Sequence, residues 1–339
     1  MNNFTQLVLF LVSLFLIFFI FFTEVENEHN VLEFKKSLFS FALIDAPAIY
    51  SDGRDIFFIS SNNLYFYENL EQSWFYEHNL TLPLSFFSDG RLYFAEIGNN
   101  IFYIFDADGL IEKVVYDYPI ITFGAGTVVL DLGYGYRVER EDIQFTITEA
   151  LPSIISKRNE NEFAISFLNL EDELFSSVAF YNPELALAIN FPRLVTSIDF
   201  IENFALITFS DTILMLDIET REIIWEKEKL LTAHTNYAIA IYNDGHLQIV
   251  DIEGTEKAYF YGNISYLAAY KGRIAEQTQK SRRLADYFLI GEGNVFTAIT
   301  EDAEILFQHT ILAEVISVHF IEDGLIFKTP IDTRIFEIN

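Results

Sequence analysis

One hairpin, repeated eight times between Gly53 and the C-terminus, constrains the fold of this chain more than any other feature. In the clearest copy Asn203 leads FALITF, Ser210-Asp211 turns the chain, and TILMLDIET brings it back. Two apolar runs joined by a short polar turn read as two buried strands. The same grammar starts at Gly53 (GRDIFFIS, then NLYFYEN), Gly90 (GRLYFAEI, then NIFYIFDADG), Gly126 (GTVVLDL, then GYRVERED) and Asn161 (NEFAISF, then LFSSVAFYN). It returns at Asn236 (NYAIAIY, then GHLQIVDIEG), Asp286 (DYFLI, then NVFTAITED) and Gly324 (GLIFKT, then TRIFEIN).

Each hairpin is flanked by a further apolar stretch on either side, such as Ser197 to Ile201 before the fifth copy and Ile223 to Glu226 after it. Four strands per unit of roughly 40 residues is the signature of a propeller blade. The expected fold class is therefore all-β: an eight-bladed β-propeller of four-stranded antiparallel blades, with seven blades as the alternative count. A pair of β-sandwiches would also show short strands at regular spacing. No Pro/Gly/Ser-rich linker divides the chain after residue 31, which counts against it.

The last copy stops at Asn339, directly after its third strand, so its outer strand is missing. Leu32 to Ile44 (LEFKKSLFSFALI) is strand-like and has no blade of its own. Placed in that vacancy it would close the ring and leave no long edge unpaired. The expected organisation is an anchor and short linker over 1–30 and a propeller over 31–339, with 32–44 closing the last blade.

The anchor is read from Phe4 to Thr23, twenty residues without a charged side chain. As a helix they would extend about 30 Å, the thickness of a bilayer's hydrocarbon core. A cleavable signal would have a shorter apolar region, basic residues before it and small residues after it. Met1 to Gln6 carries no basic side chain, and Thr23-Glu24-Val25-Glu26 offers no small-residue site. Orientation is read as N-terminus inside and propeller extracytoplasmic, because a lone N-terminal anchor resembles an uncut signal. Lys35 and Lys36, on the side then called outside, argue for the reverse by the positive-inside rule.

Composition fits a large β protein: 51% of the 339 residues are hydrophobic, with 36 Phe and 18 Tyr. Aromatic side chains pack well on pleated sheet. Fifty acidic against 21 basic residues give a formal charge of −29. Such a field repels phosphate backbones, so nucleic acid is not an expected partner. With no Cys, disulfides, thiolate zinc sites and a cysteine nucleophile are excluded.

Leu216-Asp217-Ile218-Glu219-Thr220-Arg221-Glu222-Ile223-Ile224-Trp225 resembles the repeat of quinoprotein-type (PQQ-like) propellers. Their third strand ends in Asp, turns through Thr-Gly and leads to a docking Trp; here Arg221 stands where that Gly would be. Asp251-Ile252-Glu253-Gly254 and Asp106-Ala107-Asp108-Gly109 are weaker echoes without the Trp. The wider grammar is shared with WD40-like propellers, although no Trp-Asp dipeptide occurs. Quinoprotein dehydrogenases hold their cofactor with calcium, a stacked tryptophan and often vicinal cysteines, so two Trp and no Cys argue against a cofactor here. The resemblance implies a non-enzymatic scaffold, as in the propeller subunit of bacterial outer-membrane assembly machinery.

Motifs that carry chemistry are sparse. Asp106-Ala107-Asp108-Gly109 could open a calcium loop, but its third acidic position is missing and Asp-Gly is a common hairpin turn. The six histidines, His29, His78, His234, His246, His309 and His319, have no metal-ligand spacing on one element. His319, between Val318 and Phe320, reads as a core histidine. No nucleophile elbow, P-loop or dinucleotide fingerprint is present. The compositional anomaly is Lys271 to Arg283 (KGRIAEQTQKSRR), in the longest interval between hairpins. Lys271, Arg273, Lys280, Arg282 and Arg283 form a candidate partner-binding basic loop on an otherwise acidic protein.

The expectation is a membrane-anchored propeller acting as a non-catalytic binding or scaffolding module for an envelope protein complex, with no cofactor and a protein partner. The alternative is an extracytoplasmic enzyme or sensor that binds a glycan or small molecule in the central funnel.

Overall fold

In a computed structural model, described residues are 32–38, 48–52, 55–60, 62–81, 83–124, 126–140, 143–148, 150–159, 161–169, 175–182, 186–271, 286–321, 324–330 and 332–338. They form eight four-stranded antiparallel sheets. Blade 1 is β2 (Ala48–Asp52), β3 (Asp55–Ile59), β4 (Asn63–Glu68) and β5 (Glu71–Glu77). Blade 2 is β6 (Pro83–Ser88), β7 (Arg91–Glu96), β8 (Ile101–Asp106) and β9 (Gly109–Val115). Blade 3 is β10 (Ile120–Gly124), β11 (Thr127–Asp131), β12 (Tyr136–Arg140) and β13 (Ile143–Ile147). Blade 4 is β14 (Leu151–Lys157), β15 (Phe163–Asn169), β16 (Phe175–Tyr181) and β17 (Ala186–Phe191).

Blade 5 comprises β18 (Ser197–Ile201), β19 (Phe204–Thr208), β20 (Thr212–Asp217) and β21 (Ile223–Glu228). Blade 6 comprises β22 (Leu231–His234), β23 (Ile239–Asn243), β24 (His246–Val250) and β25 (Glu256–Tyr261). Blade 7 comprises β26 (Tyr266–Tyr270), β27 (Tyr287–Glu292), β28 (Val295–Ile299) and β29 (Ile305–Thr310). Blade 8 combines β30 (Ser317–Ile321), β31 (Gly324–Lys328) and β32 (Thr333–Ile338) with β1 (Leu32–Leu38) from the other end of the chain.

Each repeated hairpin of the sequence is the second and third strand of a blade. These strands are sandwiched between neighbouring sheets on both faces, which is why they read as continuous apolar runs. Ile56 to Ile59 and Ile213 to Leu216, for example, are all buried. Outer strands alternate instead: β21 and β25 bury only every second residue in part. Buried apolar side chains form eight clusters among the described residues, one at each interface between consecutive blades.

Two observations close the ring. Neighbouring sheets touch through their first strands at β6 and β10, β10 and β14, β14 and β18, and β22 and β26, so these strands sit innermost, and β30 of blade 8 touches β2 of blade 1 in the same way. The cluster at that seam joins Ile49, Ile56 and Phe58 to Ile321, Ile326 and Ile335. On the rim, β1 pairs antiparallel with β32, Leu32 opposite Ile338 and Leu38 opposite Thr333. Of the stretch 32–44 read from sequence, Leu32–Leu38 is described and pairs in this way; residues 39–47 lie outside the described residues. So does the apolar run 4–23, and among the described residues no helix is long and apolar enough to cross a membrane.

The two tryptophans staple blades together. From β21, Trp225 donates its indole N–H to the Ile252 carbonyl of blade 6 at 2.9 Å. From β5, Trp74 does the same to the Ala107 carbonyl of blade 2 at 2.8 Å. The acceptor turns are Asp251–Gly254 and Asp106–Gly109, which in sequence looked like echoes of the repeat lacking its Trp. Their Trp comes from the preceding blade.

Candidate functional site

All eight blades run in the same sense, so the disc has two unlike faces. One carries the turns between first and second strands and between third and fourth strands; we call it the charged face. The other carries the remaining turns and the connections between blades. Apolar side chains stand exposed there, among them Ile97, Tyr134, Leu194, Leu230 and Leu312. A shallow polar depression of about 520 Å³ opens on the same side beside Glu96, Asn99, Asn100 and Asp117.

At the charged mouth of the central channel, blades 5, 6 and 7 bring together Asp199 of β18, His234 at the end of β22, and Lys271 and Asp286, which bracket the gap between β26 and β27. His234 Nδ1 lies 3.1 Å from the Thr235 carbonyl, which can only accept, so Nδ1 carries a proton. Nε2 faces two groups at once: Lys271 Nζ at 3.2 Å and Asp199 Oδ1 at 3.5 Å. A neutral ring accepts from the ammonium; a protonated ring donates to the carboxylate.

Burial opposes ionisation of Asp199, but a hydrogen bond from His234, the charges of His234 and Lys271, and a hydrogen bond from Ser197 outweigh it and hold the carboxyl below its ordinary value. Burial pulls the Lys271 ammonium below its ordinary value, against the attraction of Asp199 and Asp286. Yet 43% of the Asp199 side chain is solvent-accessible. Water that reaches a group densely surrounded by protein is what a narrow channel wall provides. Asp286 in turn accepts from the Asn236 amide at 3.0 Å, and Thr235 donates to Glu301.

Lys271 is thus the one member of the expected basic loop with a described place. Arg273, Lys280, Arg282 and Arg283 lie outside the described residues. Sequence reasoning reached Lys271 through local charge density and missed Asp199 and Asp286, whose neighbourhood depends on three blades meeting.

Farther out on the charged face, a cavity of about 330 Å³ opens over the strand ends of blades 4 and 5. Phe163, Phe180, Tyr181 and Phe200 give it aromatic walls; Ile218 and Arg221 of the blade 5 turn cover one side. Phe163 and Tyr181 stack with ring centroids 4.9 Å apart, and burial pushes the Tyr181 hydroxyl up to about 12. At its rim Arg158 is fixed by Glu162 Oε2 at 2.8 Å and by the Glu202 carbonyl at 2.8 Å.

The other sequence candidates fall apart as sites. Asp106 accepts from the Asp108 amide at 2.8 Å, closing a turn whose carbonyl serves Trp74. His78 is buried edge-on against Phe94, its Nδ1 accepting from the Leu80 amide and its Nε2 donating to the Ser60 carbonyl. His319 sits on the innermost strand of blade 8 beside Ser317 Oγ at 3.0 Å, and burial together with Lys328 lowers it to about 4. Among the described residues no three His, Cys, Asp or Glu side chains gather as metal ligands.

These features define a closed eight-bladed β-propeller with one charged, recessed face. No family model matches the chain, and no curated protein matches it. Solved structures do. BamB from Moraxella catarrhalis aligns with TM-score 0.58 at 10% identity, covering 91% of this chain and all of BamB. BBS1N in complex with ARL6DN aligns with TM-score 0.54 at 11% identity, covering 92% of this chain and 98% of BBS1N. At such identity the likeness is one of fold, a β-propeller.

Proposed function

We propose that this protein is a membrane-anchored, non-catalytic binding module for an envelope protein complex, and that its partner meets the charged face. The observation that carries this reading is the layout of that face: an aromatic cavity between two blades beside a channel mouth whose charged groups already engage one another. Groups paired in this way form a recognition surface of fixed shape and mixed charge, and such complementarity sets specificity and association rate. The propellers of similar fold support it, since BBS1N is seen in complex with ARL6DN. The tryptophan staples support a PQQ-like ancestry for the repeat.

The register of β1 bears on the anchor. Leu32 lies opposite Ile338, at the edge of the charged face, so a chain arriving from residue 23 joins the disc on that side. Eight residues between them span at most about 28 Å, which would hold this rim close to the bilayer. In this reading the propeller lies outside the cytoplasm.

Chemical crosslinking of intact membranes, followed by purification of the full chain, tests the proposal. A protein partner crosslinked through charged-face positions is expected. Recovery of a small ligand with no protein partner would sink it and favour the second reading, a funnel sensor or enzyme for a glycan or small molecule. The Asp199–His234–Lys271 cluster at the channel mouth is what keeps that second reading in play.

A further inference from the structure

Three turns of this propeller share one construction. In blades 2 and 5 the third strand ends in Asp106 and Asp217, in blade 6 Asp251 directly follows it, and each carboxylate accepts from the amide two residues on, that of Asp108, Glu219 or Glu253. In blades 2 and 6 the residue after the Asp offers its carbonyl to an indole from the preceding blade. The corresponding residue in blade 5 is Ile218, whose carbonyl accepts no hydrogen bond among the described residues. Blade 4 brings no indole to it: the outer strand β17 reads ALAINF, and both tryptophans are in use elsewhere. Ile218 borders the 330 Å³ cavity.

A second observation concerns Arg221. The turns of blades 2 and 6 take positive φ at Gly109 (120°) and Gly254 (83°), where a side chain is disfavoured. The blade 5 turn takes it at Arg221, φ 67°, a conformation costing a non-glycine residue about 1–2 kcal/mol. Glycine would relieve that strain and leave the rim bare. Arginine instead adds a long cationic side chain to the lining of a cavity that three phenylalanines and a tyrosine also border. The equivalent turns of blades 1 and 7 also hold a side chain in this conformation, at Leu70 (67°) and Ala303 (69°), so it is the place of Arg221 on the cavity lining, not its strain, that offers this side chain to a ligand.

We infer that the blade 4–blade 5 cavity receives the indole of a tryptophan presented by a partner protein, docked as Trp74 and Trp225 are docked within the chain: N–H to a turn carbonyl, ring against aromatic walls, and here Arg221 over its face. The space suffices, since a dry cavity of about 150 Å³ already accepts benzene. This inference rests on the binding-module reading and gives its partner a chemistry.

The test uses the full chain in detergent and N-acetyl-5-fluorotryptophanamide as probe, read by ¹⁹F line broadening. Saturable broadening is expected, with N-acetyl-leucinamide failing to compete. Arg221→Gly is expected to weaken binding about three- to tenfold, the range of a cation–π contact, while raising the thermal midpoint by removing strain. Arg221→Lys, which keeps the cation, should fall between the two. Absence of saturable broadening, equal competition by the leucine compound, or unchanged binding in Arg221→Gly would each overturn the inference. If crosslinked membranes still yielded a protein partner in that event, the binding-module reading would stand without this cavity.

Discussion

A methyl group at Gly254 has nowhere to go. Its Cβ would lie 2.6 Å from Trp225 Cδ1, and the residue sits at φ +83°. Gly254→Ala is expected to cost about 2–4 kcal/mol, from overpacking and left-handed strain together, measured by urea denaturation. Gly109→Ala, with nothing within 4 Å of the new atom, should lose only the backbone part. Equal losses would show that the Trp225 contact is not as described. His319 supplies a pH dependence with a definite sign. Its folded-state value near 4 lies below the ordinary 6.5, so the unfolded chain binds the proton first as pH falls. The stability owed to this residue is complete above about pH 6.5 and is lost progressively toward pH 4. Thermal midpoints of wild type and His319→Gln should therefore converge across that window; parallel curves would contradict the buried neutral histidine.

At the scale of single elements, what could be read from sequence depended on how a strand is covered. The second and third strands of each blade are packed on both sides, so FALIT and TILMLD announce themselves as apolar runs. First and fourth strands mix polar and apolar positions, as SIDFI and IIWEKE do, and are visible only as flanks of the hairpin. The Trp225 staple was half visible, through the Asp-to-Trp spacing in blade 5. Its acceptor and the Trp74 staple were not, because a carbonyl on the next blade leaves no mark in local sequence. Trp74 could have been found by its place: like Trp225, it lies early in a fourth strand and pairs with a third-strand residue just before a β-bulge. Trp225→Phe, which keeps a ring and loses the N–H, is expected to cost about 1 kcal/mol from the hydrogen bond, and Trp225→Ala about 3–5 kcal/mol. Chemical denaturation of the two variants separates the contributions, and a near-neutral Trp225→Ala would remove the staple from the account.

On the scale of the whole molecule, the fold was legible and the site was not, for one reason. Repetition is a property of the chain and is written along it, whereas Asp199, His234, Lys271 and Asp286 meet only because three blades are bent round one channel. The cavity between blades 4 and 5 likewise joins Arg158 to Arg221 across two sheets. Both features require the ring to be shut, since an open disc would let inner strands separate and the mouth widen. Closure rests on the seam between β30 and β2 and on β1 completing blade 8. It can be trapped covalently, because the chain contains no cysteine of its own. Glu33 and Glu337 are directly opposed in the β1–β32 pair. In the full-length Glu33→Cys/Glu337→Cys protein, mild oxidation is predicted to give an intramolecular disulfide. It should also raise the denaturation midpoint, with up to about 5 kcal/mol available from a loop this long. Free thiols that persist under oxidation, or crosslinks only between molecules, would contradict a ring closed by its N-terminal strand.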